Sequence, residues 1–235
     1  MQARLDVGAV IARVWHIYVD QASVLMPAAA VVFVVSGIIS AVLAATGSLF
    51  AVLLALVISL VAGSLFTGMV VELVADIQDG RRDSSPGQLL RAATPFIAQL
   101  ILVGIVAGVG IVVGFIIFVI PGLILITIWS VFVPVIVLEH PQGLGALSRS
   151  RELVRGNGWR VFGVILVLFV LVVVISSVIE AAADSAGTGV GIVVRVVIGV
   201  LTAPISALAA AVLYFELRGG TPSESLADAT PSAPI

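Results

Sequence analysis

The residue types that most often carry out catalysis are scarce in this chain. It has no cysteine, and its two histidines, His16 and His140, both lie at the ends of apolar segments. The sequence contains no HExxH zinc motif, no phosphate-binding loop and no nucleophile elbow. We therefore expect no catalytic residue, no metal site and no cofactor. Nothing in the sequence indicates a nucleic-acid partner.

One pair of opposite charges lies next to long apolar runs. Glu180 comes four residues before a polar stretch that begins at Asp184, and Arg195 comes six residues after that stretch ends at Gly189. Two antiparallel helices joined by this stretch would place both side chains at a similar depth. The spacing predicts a structural ion pair that fixes the register of the hairpin. A role for Arg195 in binding an anion is the alternative.

Arginine is the only basic residue besides histidine, and the chain has eleven of them. The densest group comprises Arg149, Arg151, Arg155 and Arg160. Near a membrane surface each arginine favours anionic headgroups by about 1 kcal/mol. We therefore expect these four residues to contact anionic lipid.

The elements that carry these residues are predicted to be membrane-spanning helices. The chain is 61% apolar and only 10% charged, whereas a soluble domain carries about 25% charged residues. A helix needs about 20 apolar residues to cross the hydrocarbon core. Six such runs are present, at residues 22–45, 49–71, 96–120, 122–138, 161–179 and 190–213. The predicted fold is all-α, a polytopic integral membrane helical bundle that forms one transmembrane domain over residues 1–218.

The third and fourth runs form one uncharged stretch that only Pro121-Gly122 interrupts. Proline cannot continue a hydrogen-bonded helix, and glycine tolerates turn geometry. The stretch therefore predicts two spans joined by a tight turn at Pro121-Gly122. A buried re-entrant segment within residues 96–138 is the alternative.

Ten of the eleven arginines fall on one side of the six predicted spans. They are Arg4, Arg13, Arg81, Arg82, Arg91, Arg149, Arg151, Arg155, Arg160 and Arg218. The positive-inside rule makes that side cytoplasmic, so we expect both termini in the cytoplasm. The heavy use of Arg, Ala, Val and Gly suggests a prokaryotic protein, and we expect it in the cell membrane.

Three short amphipathic segments flank the spans. Residues 5–19, 85–94 and 144–155 are predicted to be elbow helices at the cytoplasmic surface, each preceding a pair of spans. This arrangement suggests a unit repeated three times, although interfacial helices also precede spans for topological reasons alone. Residues 219–235 are rich in Gly, Pro and Ser, and we expect a disordered cytoplasmic tail.

The third predicted span carries four glycines at close spacing. They are Gly104, Gly108, Gly110 and Gly114. Small residues four apart let helices approach closely in lipid. We expect these glycines to serve helix packing inside one chain, with homodimerisation as the alternative.

The stretch from Pro121 to Val164 resembles the membrane domain of the glycerophosphoryl diester phosphodiesterase family. The matching residues are Pro121, Gly122, Trp129, Ser130, Pro134, Glu139, Ala146, Ser150, Leu153, Arg155, Gly156 and Trp159. The closing segment LYFELR is similar to the family's LYYDLR. Many members carry an arginine before the Trp-Ser pair, where this chain has Ile128.

The resemblance implies a helical membrane domain and no enzyme activity. In the namesake enzymes the phosphodiesterase activity belongs to a separate soluble barrel, for which these 235 residues have no room. The expected function is that of a non-catalytic multi-pass protein that associates with lipid, with other membrane proteins or with a second copy. The alternative is a transporter or permease for a lipid-like or uncharged solute, which a polar cavity between spans would favour.

Overall fold

The computed structural model describes residues 5–80, 87–88, 94–184 and 188–219. Within these residues every regular element is helical. The helices are α1 (Val7–Asp20), α2 (Ala22–Ala44), α3 (Leu49–Gln78), a 3₁₀ turn (Thr94–Phe96), α4 (Ile97–Ile117), α5 (Val119–Ile128), α6 (Phe132–Glu139), α7 (Gly145–Val154), α8 (Gly158–Asp184) and α9 (Thr188–Arg218). The all-α prediction is therefore confirmed.

The described residues include six stretches that are long and apolar enough to cross a membrane. They are Ala22–Leu43, Leu49–Gln78, Thr94–Ile117, Val119–Glu139, Gly158–Ile179 and Val196–Arg218. Helices satisfy their own backbone hydrogen bonds, which lipid cannot do. The chain is thus a multi-pass membrane protein whose spans contact the bilayer.

Three helices continue beyond the apolar runs that predicted them. α3 extends to Gln78, α8 begins at Gly158, and α9 extends to Arg218. The added turns contain charged residues, among them Glu72, Arg160 and Arg218, which a helix can carry where it has left the hydrocarbon. Apolar run length therefore measures the buried part of a helix and not the whole helix.

The turn between spans three and four lies three residues before the predicted position. α4 ends at Ile117, and Phe118 adopts an extended conformation with φ −162° and ψ 152°. Pro121 and Gly122 lie in the first turn of α5. Proline is tolerated there because the first N–H groups of a helix have no partner within the helix. The Pro-Gly pair therefore belongs to the start of span four, and Phe118 forms the turn.

Span four is broken into two helices. α5 ends at Ile128, and α6 begins at Phe132. Pro134 lies two residues into α6 and has no N–H to offer the preceding turn. The Phe132 N–H bonds to the Trp129 carbonyl at 3.3 Å, which leaves the Ile128 carbonyl without its helical donor.

The buried core lies at one end of the bundle. α9 packs against α1, α2, α3, α6, α7 and α8. In α3 only Ala51 and Ala55 are buried near its start, whereas Gly68–Val71 are buried without interruption near its end. Leu49 and Phe50 are exposed at the opposite end of the molecule, where lipid would cover them. The packed end also holds α1 and α7, so it is the end where the elbow helices lie.

The first and third elbow helices are present at the positions expected from the sequence. Asp6 is the N-cap of α1, and its Oδ1 accepts hydrogen bonds from the N–H groups of Gly8 and Ala9 at 2.8 and 3.3 Å. Val10, Val14 and Ile17 then face the bundle at helical spacing. The second expected elbow, residues 85–94, and the tail, residues 219–235, lie almost entirely outside the described residues.

Candidate functional site

The break in span four is closed by a side chain from the third elbow helix. Ser150 on α7 is fully buried. Its Oγ donates to the Ile128 carbonyl at 2.8 Å and accepts from the Val131 N–H at 3.4 Å. The hydroxyl thus supplies the donor that the broken helix lacks, so α7 is fastened to the middle of span four.

A charged network fastens the same elbow helix to the end of the bundle. Glu139 accepts from Arg149 Nε at 2.8 Å and from the Tyr214 hydroxyl at 2.9 Å. Arg149 also reaches Glu152 at 3.3 Å, and Arg218 donates to the Tyr214 hydroxyl at 3.0 Å. The hydrogen bond to Glu139 raises the pKa of Arg149. This network joins α6, α7 and α9.

A cavity of about 540 Å³ lies at the end of α7 and is named here the basic pocket. Its lining residues are Ile128, Ser148, Arg151, Glu152, Val154, Arg155, Gly156 and Gly158. The chain can reverse here because Gly156 has φ 92°, a conformation that glycine adopts at no steric cost. Arg151 of α7 and Arg155, which directly follows α7, therefore border one opening.

A larger cavity of about 910 Å³ lies between α5 and the start of α8 and is named the apolar groove. Ile120, Leu123, Ile124, Thr127 and Phe162 form its walls, and Gly156–Arg160 form its end nearest α7. The groove shares residues 128, 156 and 158 with the basic pocket. Apolar walls thus lead directly to a group of arginines.

Trp159 lies where the apolar groove meets the basic pocket. Its side chain is 87% exposed and lines the groove. Tryptophan is enriched at the level of the lipid headgroups because its ring is amphipathic. The exposed ring therefore favours a position of the basic pocket at headgroup level, with the Ile120 end of the groove deeper in the hydrocarbon.

The four arginines expected to contact lipid differ in their surroundings. Arg149 is engaged with Glu139 and Glu152. In the described part of the chain, no carboxylate forms an ion pair with Arg151, Arg155 or Arg160. Arg151 and Arg155 line the basic pocket, and Arg160 lines the groove. Three guanidinium groups therefore remain available to an external anion.

The glycines of span three lie against different neighbours. A Cβ added at Gly110 would lie 2.8 Å from the Trp129 ring, and one at Gly114 would lie 3.1 Å from the backbone of Gly122. A Cβ at Gly104 would contact Leu60 and Ser64 of α3. At Gly108 nothing lies within 4 Å. Packing inside the chain thus leaves no room for a larger residue at Gly110 and Gly114, whereas Gly104 and Gly108 have space for a Cβ.

Glu180 and Arg195 are the remaining expected site residues. The side chains of Glu180 and Arg195 lie outside the described residues, so their ion pair stays a prediction. His16 pairs with the exposed Asp20 at 3.1 Å, and His140 lies against the Phe96 ring. No group of three potential metal ligands occurs among the residues that the structure describes.

Two polar residues at this end of the molecule were not predicted from the sequence. Gln99 Nε2 donates to the carbonyls of Pro141 and Gly143, which ties the start of span three to the loop before α7. Asn157 lines the apolar groove. Gln99 could have been noticed as a lone amide in an otherwise uncharged run. In the sequence, Asn157 looks like an ordinary turn residue.

One family model matches the chain, over residues 89–217, which is more than half of its length. Its description is "Domain of unknown function (DUF8558)". The match includes every residue that lines the basic pocket and the apolar groove. No curated protein and no solved structure matches the chain.

Proposed function

The chain belongs to the DUF8558 family, and we propose that it is a non-catalytic multi-pass protein of a prokaryotic cell membrane that associates with anionic lipid. The lipid-binding surface is the arginine end of the bundle. Both termini lie in the cytoplasm, and the binding surface faces the inner leaflet. Association with a membrane-protein partner or a second copy is compatible with this role.

The observation that carries the proposal is the set of arginines without internal partners beside the groove. Arg151, Arg155 and Arg160 pair with no carboxylate of the described chain. Guanidinium groups match phosphate geometry and are more weakly hydrated than ammonium groups. Unpaired arginines at headgroup level therefore favour lipid phosphates over water as partners.

The proposed orientation is supported by the clustering of Arg13, Arg149 and Arg218 at one end of the bundle. Arg13 of α1 pairs with Glu216 of α9 at 3.3 Å, and Arg149 of α7 pairs with Glu139 of α6. Arg218 lies in the same network through Tyr214. Clustered arginines flank spans on the cytoplasmic side, where anionic lipids give the surface its negative potential.

We further propose that this family is related to the membrane domain of glycerophosphoryl diester phosphodiesterases. The support is the set of shared residues, to which the structure adds a physical reason for two of them. Ser150 closes the break in span four, and Glu139 anchors α7 through Arg149. Residues that hold a fold together in this way give no reason to expect phosphodiesterase activity.

A thermal-shift experiment in mild detergent tests the proposed function. Phosphatidylglycerol should raise Tm more than phosphatidylcholine at the same concentration, because a ligand that binds only the folded state stabilises it. The difference should shrink at high salt, which screens exposed charges. The triple variant Arg151→Gln/Arg155→Gln/Arg160→Gln should lose most of it.

The matched control keeps the positive charges in place, in Arg151→Lys/Arg155→Lys/Arg160→Lys. This variant should keep more of the Tm gain from phosphatidylglycerol than the glutamine variant, because its ammonium groups still attract the lipid phosphates. Equal gains from both lipids in the wild-type protein would contradict the proposed function. So would equal losses in the two triple variants.

A further inference from the structure

We propose that the apolar groove and the basic pocket together form a binding site for one anionic phospholipid. An acyl chain lies along α5, and the phosphate lies at Arg151 and Arg155. This inference rests on the proposed function and adds a defined, stoichiometric site to it.

The first support is that the apolar groove leads directly into the basic pocket. The groove and the pocket share Ile128, Gly156 and Gly158. On one side of these residues are the Ile120, Leu123 and Ile124 side chains, and on the other are the arginines. A molecule that fills both must be apolar at one end and anionic at the other, which describes a phospholipid.

The second support is the size and position of the groove. Its volume of about 910 Å³ lies in the range of roughly 300–1,000 Å³ that small-molecule sites occupy. Ile120 and Ile124 are 69% and 53% exposed and belong to a membrane-spanning segment. The hydrophobic part of the occupant therefore comes from the bilayer, and a soluble phosphate would leave it unfilled.

The charges around the pocket favour a lipid over a second copy of the chain. Between residues 139 and 160 the sequence has four arginines against two glutamates. Glu139, Glu152 and Glu216, which lie at this end, already pair with arginines of the same chain. A second copy docked through this stretch would bring the same excess of arginines against it, and juxtaposed like charges are unfavourable.

The turn between α7 and α8 supplies additional polar groups and space. The Asn157 side chain lines the groove and has no hydrogen-bond partner among the described residues, so its amide can donate to phosphate or ester oxygens. Gly158 borders both cavities, and a Cβ added there meets nothing within 4 Å. Position 158 therefore allows the site to be filled without a clash with the protein.

The decisive variant is Gly158→Leu, which changes no charge. Leucine has a higher helix propensity than glycine, and residue 158 begins α8, so the fold should be retained. The matched control is Gly37→Leu in α2, where an added Cβ also meets nothing within 4 Å. Tm without added lipid verifies folding of both variants.

The experiment is native mass spectrometry of the purified protein with an equimolar mixture of phosphatidylglycerol and phosphatidylcholine. The wild-type protein and Gly37→Leu should each retain one phosphatidylglycerol per chain. Gly158→Leu should lose this bound lipid. Arg151→Gln/Arg155→Gln should weaken it about thirtyfold, since each arginine near the surface contributes about fivefold. Glycerol 3-phosphate in excess should not displace the lipid, because it has no acyl chain.

The possible results test the lipid site and the proposed function independently. If Gly158→Leu retains the lipid as the wild type does, the groove is not the site, while the anionic preference in the thermal-shift experiment would still support the proposed function. A chain that retains no lipid and shows no anionic preference would overturn both. Displacement by glycerol 3-phosphate, or a dimer in place of the bound lipid, would overturn the lipid site alone.

Discussion

At the scale of single residues, Ser150 shows how a polar side chain can complete a broken membrane helix. Its hydroxyl bonds to groups on both sides of the break, the Ile128 carbonyl and the Val131 N–H. Ser150 and Val131 are fully buried, so an unpaired backbone group at the break costs more than one in a solvated loop. The serine therefore stabilises the break and the position of α7 together.

Replacing this hydroxyl should destabilise the protein. Ser150→Ala leaves the Ile128 carbonyl buried without a donor, which costs about 1–3 kcal/mol. The measurement is Tm in detergent or resistance to unfolding by denaturant. Ser148→Ala, on the exposed side of the same helix, is the control and should change Tm little. Equal Tm values for the two variants would show that the hydrogen bonds of Ser150 contribute nothing.

The sequence identifies several of these residues as parts of a family pattern, but it does not show their contacts. Ser150 and Glu139 were noted because they match a family pattern, and their partners, Ile128 and Tyr214, are 22 and 75 residues away along the chain. Local pattern reasoning has no access to such separations. The spacing of the arginines predicts lipid contact for all four of them. It does not predict that Glu139 and Glu152 engage Arg149 while Arg151, Arg155 and Arg160 remain unpaired.

At the scale of elements, the six spans could be predicted because run length alone decides whether a helix can cross the hydrocarbon. The position of the turn at Phe118 could not, since Pro121 is as compatible with the first turn of a helix as with a loop. The break in span four could not be predicted from the sequence either. Pro134 is as compatible with a kink as with a break, and the separation of α5 from α6 depends on a serine from another element.

The contact between spans three and four should be sensitive to a single methyl group. A Cβ at Gly122 would lie 2.6 Å from the Phe115 ring, so Gly122→Ala forces the two helices apart at their turn. Overpacking of this kind costs typically about 1–3 kcal/mol, which lowers Tm. Gly108→Ala on α4 is the control, because nothing lies within 4 Å of its Cβ. If Gly108→Ala proved the more damaging, packing outside the monomer would be indicated instead.

At the scale of the whole molecule, the packing is uneven along the bundle. The end that holds α1 and α7 is packed around Tyr214, whereas large apolar side chains such as Phe50 and Phe118 are exposed at the other end. In a membrane the second arrangement is stable because lipid, not water, covers those side chains. The polar contacts that define the fold are therefore concentrated at one surface, and the proposed lipid-binding site is part of that surface.

The orientation of this surface can be tested directly because the chain has no cysteine. Single cysteines are introduced as Ser48→Cys, in the connection between α2 and α3, and as Ser148→Cys on α7. Both positions are exposed. In intact cells a membrane-impermeant maleimide should label Ser48→Cys and leave Ser148→Cys unlabelled until the membrane is opened. The arginines, not the apolar runs, determine this result, since the positive-inside rule alone places α7 in the cytoplasm. The reverse labelling pattern would place the basic pocket at the outer leaflet, where its arginines would no longer face the anionic lipids of the inner surface.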